Sequence, residues 1–86
     1  MAEGQWKSVG KVVHYYTRIG VAIVDLSSSL ALDDTVSIVG ANTDFQQTVD
    51  SMQIEHKAVK KAKKGNSIGL KVSDRCRKGD KVYKLS

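Results

Sequence analysis

Proline is absent from this 86-residue sequence, and cysteine, tryptophan and phenylalanine occur once each. The lone Cys76 has no partner for an internal disulfide, which fits a reducing compartment. No apolar run approaches the ~20 residues that a membrane helix needs. The first seven residues are short, polar and mildly acidic, without the apolar centre of a signal peptide. These absences predict a soluble, cytoplasmic protein.

Chemistry-bearing motifs are equally scarce. A phosphate-cradling loop needs glycines closing on Lys-Ser/Thr. Gly10-Lys11 is followed by Val12 and has no glycine five residues upstream, and no Asn-Lys-x-Asp guanine reader occurs. No nucleotide is therefore expected, and no cofactor. His14, His56 and Cys76 are the soft metal-ligand candidates, but they are widely spaced and form no Cys-x-x-Cys or His-x-x-x-His pair, so no metal is expected. Ser27, Ser28 and Ser29 near Asp25 have no base placed beside them and read as turn material. Asp33-Asp34 reads as a strand entry rather than an acid pair. The sequence points to binding and not to catalysis.

What is present is alternation. Val9–Tyr16 reads as a first strand, turned by residues 17–20 into a second, Val21–Leu26, with Thr35–Val39 as the third. The turn at 40–44 leads into a fourth, Phe45–Glu55, whose parity switches between Val49 and Met52, as a β-bulge near Asp50-Ser51 would produce. Ser67–Val72 and Lys81–Leu85 make the fifth and sixth. His56–Lys64 is the one helix-like piece, too short to be stable alone; it reads as a single turn or tight loop pinned by Val59 and Ala62. Residues 1–8 form a short N-terminal arm and 9–86 one domain. Trp6 in that arm either plugs one mouth of the fold or stacks on a base. Asp33 and Gly79 each precede a strand-entry Asp and should adopt a left-handed or bridge conformation.

A chain this small buries only about 60–65% of its unfolded surface, so exposed strand edges are costly. Closure into a small six-stranded all-β barrel is the expected solution. Its core would comprise Val13, Val24, Val36, Ile38, Ile54, Ile68, Leu70 and Val82.

The net charge is +5 and unevenly placed. The first 52 residues carry three basic against six acidic side chains, and the last 34 carry eleven against three. The crowded run Lys57, Lys60, Lys61, Lys63 and Lys64, extended by Arg75, Arg77 and Lys78, is the candidate site. Clustered cations repel one another unless an anion neutralises them, and phosphates do so with counterion release. The alternatives are a solvated turn or a surface docking on an acidic protein. For Cys76, a small half-buried apolar role stands beside a reactive thiol activated by the flanking cations.

The stretch from Val49 to Tyr83 resembles the second, β-barrel domain of translation-factor GTPases. It carries Ser51-Met52-Gln53, then Val59, Ala62 and Gly65, then Ile68-Gly69-Leu70, then Lys78-Gly79-Asp80. Leu30–Ile38 matches the earlier Leu-x-x-Gly-Asp-x-Val-x-Ile element, with Asp33 replacing its glycine. The chain is similar as well to the barrel that closes U32 peptidase-like proteins. The resemblance implies a closed six-stranded barrel, without a GTPase domain, that binds tRNA or ribosomal RNA or a ribosome-associated partner. The resemblance transfers no RNA contact residue by residue; read from the charge alone, the contacts would be Lys57, Lys60, Lys61, Lys63, Lys64, Arg75, Arg77 and Lys78.

Overall fold

The computed structural model describes residues 5–85, so residues 1–4 of the expected arm lie outside it. Every regular element among the described residues is a strand. None of them forms a helix long and apolar enough to cross a membrane, which leaves strands aside.

The longest strand, β1 (Trp6–Tyr16), organises the sheet. Its first half pairs with β10 (Lys81–Leu85) and its second half with β2 (Val21–Leu26). Residues 6–8 of the expected arm thus belong to the first strand. The register slips twice, between Ser8 and Gly10 on the β10 side and between Val12 and His14 on the β2 side. Each slip bends the strand and resets which side chains face inward. Val9 and Val12 are buried while Val13 is half-exposed. Strict alternation therefore puts the wrong valine, Val13, in the core.

Beyond β10 lie β4 (Thr35–Gly40) and β5 (Thr43–Thr48); beyond β2 lie β9 (Ser67–Lys71), β6 (Met52–Ile54) and β7 (Lys57–Val59). All pairings in this eight-stranded sheet are antiparallel. A separate ribbon joins β3 (Leu30–Ala31) to β8 (Lys61–Ala62).

The single fourth strand expected over Phe45–Glu55 is two strands at opposite ends of the sheet. Val49 exchanges backbone hydrogen bonds with Asp33 and Asp34 on the β4 side, and Ser51 O accepts from Lys71 N on the β9 side. Three residues carry the chain across the seam, so the parity switch marks a corner and not a bulge within one ladder. The sheet curls until its ends approach, but no backbone ladder joins β5 to β6 or β7 among the described residues. The outcome is an all-β, curled open sheet with a covering ribbon, in place of the expected closed six-stranded barrel. Across the gap the Gln47 side chain bonds Ser73 N and Lys71 O.

The concave face holds the core. Val24, Val36, Ile38, Ile68, Leu70 and Val82 are buried as alternation predicts, joined by Val9, Val12, Leu30, Val49 and Met52. Ile54 packs against this cluster while half-exposed. Residues 57–64 are not a helical turn: Glu55 and His56, at φ 52° and 66°, make a two-residue hairpin turn from β6 into β7. Positive φ at both central residues matches the right-handed twist of the flanking strands. Asp33 and Gly79 have φ of 72° and 96°, the left-handed one of the two conformations anticipated for them.

Candidate binding faces

Lys57 lies on β7, Lys60 at a bend, Lys61 on β8, and Lys63 and Lys64 in the turn that follows; all five are exposed. Their backbone is tied down. Lys60 O accepts from Leu32 N at 2.9 Å, Lys63 N donates to Asn66 Oδ1 at 2.9 Å, and Gly65 N donates to Leu26 O at 3.0 Å. The hairpin is therefore fixed while its ammonium groups face water.

Arg75, Arg77 and Lys78 are exposed too, but they belong to another face. Their loop leaves β9 where Val72 N bonds Gly20 O, beside the start of β2, whereas the lysine turn meets the end of β2 at Leu26. At about 3.3 Å per residue, the six steps along β2 from Gly20 to Leu26 hold these attachment points roughly 20 Å apart. The lysines and the arginines also line different clefts. The eight residues singled out in the sequence make two faces, not one patch.

A cleft lined by Tyr16, Ile19, Val21, Ile23, His56 and Gly69 opens on the convex side of β2, β9 and β6. Tyr16 and Ile19 are 47% and 57% exposed, large values for side chains of this kind. The hairpin turn at Glu55-His56 borders the cleft and leads directly into Lys57. A groove with apolar walls thus borders the turn that leads into Lys57, a juxtaposition that periodicity does not announce.

The reactive-thiol alternative for Cys76 fails. The residue is 2% exposed, and burial, followed by the nearby Asp80 carboxylate, pushes its thiol up to about 11. A neutral thiol at physiological pH is a poor nucleophile. The flanking arginines face solvent, while the negative charge of Asp80 is turned inward. Asp25 Oδ1 accepts from Ser67 Oγ at 2.6 Å, across the sheet and away from the serine loop. Asp34 Oδ2 accepts from Ala31 N at 2.9 Å, the strand-entry role expected of it. Trp6 sits in β1 opposite Leu85, half-buried. His14 meets Tyr16 edge-on at 4.4 Å. No group of three His, Cys, Asp or Glu side chains among the described residues is arranged to hold a metal.

No protein-family model matches the chain. It is 42% identical over 78 residues, 90% of its length, to an uncharacterized protease of Methanocaldococcus jannaschii, and 36% identical over 79 residues to a collagenase of Porphyromonas gingivalis. It spans only about a fifth of these relatives, 19% and 22% of their lengths. In fold it is similar to the C-terminal domain of a Geobacillus thermoleovorans U32 peptidase, with a TM-score of 0.86, 19% identity and 93% coverage of each chain. The selenomethionine form of that domain gives 0.84, covering 88% of this chain and 96% of that one.

These relatives correct three expectations. The translation-factor resemblance does not carry the function, because the matching proteins are named as a protease and collagenases. An RNA-binding, ribosome-associated barrel, or a module docking on an acidic protein partner, is not what these relatives are named for. The expectation that the protein has no enzymatic connection falls on the same finding. The likeness to U32 proteins, drawn from the same motifs, stands.

Proposed function

We propose that this β-domain is a module of a U32-peptidase-type protein and holds unfolded, acidic substrate polypeptide for that protein's proteolytic part. The observation that carries it is the 42% identity, over nine-tenths of this chain, to an archaeal protein named as a protease. The collagenase relatives support the same assignment.

Two surface features suit that task. Unfolded polypeptide offers apolar side chains and carboxylates together. The groove at Tyr16, Ile19, Val21 and Ile23 can cover the first; Lys57, next in the chain to its bordering turn, and the exposed Lys60, Lys61, Lys63 and Lys64 can meet the second. A phosphate backbone would have no use for the apolar groove. The lysines are a long-range attraction, salt-dependent and weak singly; the groove supplies contact area, with about 25 cal/mol gained per Å² of apolar surface covered.

The test is retention on beads bearing the chain, with denatured casein and bulk tRNA applied separately at physiological ionic strength. Casein should be retained and released by added salt. Casein passing through while tRNA stays bound would overturn the proposal.

A further inference from the structure

We propose that the cleft between the Arg75–Lys78 loop and the β4–β5 hairpin is a carboxylate site that grips paired acidic side chains of a peptide. The cleft is lined by Arg75, Arg77, Lys78, His14, Tyr15 and Asn42. It is distinct from the lysine hairpin, at the other end of β2.

Among the described residues, none of the three cations has a carboxylate partner within 4.0 Å. Among the described residues the ion pair is Lys84 with Asp34, at 4.0 Å. The two acids of the loop are committed to its backbone instead: Asp74 Oδ1 accepts from Arg75 N at 2.7 Å, and Asp80 Oδ2 from Arg77 N at 2.8 Å.

The loop is also fixed before any ligand arrives. Ser73 N donates to Gln47 Oε1 at 2.6 Å, Gly79 N to Val12 O at 2.7 Å, and Val12 N to Asp80 O at 2.7 Å. Cys76 is buried between the two arginines and anchors the loop to the core. Three like charges held on a rigid loop repel one another, and that repulsion is relieved when an anion enters. Ordering costs, which usually weaken binding, have already been met by folding.

The donors select the ligand class. Guanidinium forks match the two oxygens of a carboxylate, which an ammonium group cannot do. Two arginines separated by one inward-facing residue present two such forks, suited to two carboxylates of one peptide. The Asn42 amide adds neutral donors on the opposite wall. Phosphate would satisfy the same donors, and the choice of carboxylate rests on the polypeptide-handling function proposed above.

The experiment titrates the intact chain into fluorescein-labelled hexaglutamate, hexaglutamine and hexauridylate, followed by anisotropy at physiological ionic strength. Hexaglutamate should bind and hexaglutamine should not. Arg75→Gln with Arg77→Gln should weaken hexaglutamate about tenfold or more. Lys11→Gln with Lys81→Gln removes the same charge from exposed positions paired across β1 and β10, and should change binding by less than about threefold. Should the arginine pair disturb the fold by circular dichroism, Lys78→Gln alone should still weaken binding. Equal binding by parent and arginine variant, equal loss in the lysine control, or hexauridylate binding as tightly and lost in the arginine variant would each overturn the site. Casein retention by the parent chain, measured alongside, separates these failures: if casein is retained, the site alone is wrong.

Discussion

Gln47 stands in for a missing ladder rung beside Ser73. Its side-chain Oε1 accepts from Ser73 N at 2.6 Å while its Nε2 donates to Lys71 O at 2.7 Å. One amide thus joins β5, at one end of the sheet order, to the segment that follows β9 near the other. The seam is closed by a side chain where backbone pairing stops.

Removing that amide should loosen the seam without dissolving the fold. Gln47→Ala forfeits two partly solvated hydrogen bonds, a loss of about 1–2 kcal/mol. Urea unfolding should show that loss, and amide exchange should quicken at Ser73 while the core amides of β2 keep their protection.

Two glycines sit where a Cβ has no room. One built on Gly10 would lie 2.5 Å from Asp25 O and 2.9 Å from Val24 Cγ1, where backbone must move. Gly10→Ala should cost about 1–3 kcal/mol or more. On Gly40 the Cβ would collide with the buried Asp80 carboxylate, lying 2.6 Å from its Cγ. Gly40→Ala should therefore also loosen the Arg77–Asp80 turn, detectable as faster amide exchange at Arg77.

Leu70 is fully buried where β9 meets both β2 and β6. Leu70→Ala should cost about 2–5 kcal/mol, a large fraction of the stability of so small a domain. Thermal unfolding of the variant checks this directly.

Burial, and then the Asp80 carboxylate, pushes the Cys76 thiol from its ordinary 9.0 up to about 11 in the folded chain. Between those values the unfolded chain releases a proton that the folded chain keeps, so alkali favours unfolding. Stability should be independent of this group below about pH 9, fall between about 9 and 11, and level off above. Cys76→Ala should remove that component of the pH dependence in urea titrations. Iodoacetamide should label the parent chain only as it unfolds.

Much of the fold is legible in the sequence, because alternation reports burial wherever a strand is regular. Val21–Leu26 and Lys81–Leu85 have the bounds that alternation predicts, and Val24, Ile68 and Leu70 face inward as it requires. It fails where the backbone leaves its period: at the two register slips of β1, which exchange Val12 for Val13, and at Val49–Ser51, where one apparent strand serves both ends of the sheet. Three-residue spacing of Val59 and Ala62 imitated a helical turn because a bend at Lys60 interrupts two short strands. The candidate site was visible only as charge. Concentration along the chain located the cations, but the length of β2 that separates lysines from arginines is tertiary information. So is the groove at Tyr16 and Ile19, assembled from β1, β2, β6 and β9.

Charge and apolar contact should contribute separately to polypeptide binding. Lys60→Gln, Lys61→Gln and Lys63→Gln together should weaken casein binding and flatten its salt dependence. Tyr16→Ala with Ile19→Ala should weaken it with the salt dependence unchanged. Titrations at two ionic strengths distinguish the two effects. Stability should move by no more than about 0.5 kcal/mol per exposed lysine.

The claim that this domain holds polypeptide for a protease-type protein is tested most directly by amide hydrogen exchange, measured with denatured casein, with tRNA and with neither, at physiological ionic strength. Casein should slow exchange across residues 16–23 and 55–64, the groove and the lysine hairpin, and tRNA should leave both segments unchanged. Unaltered exchange with casein, together with protection by tRNA at the hairpin, would contradict the account.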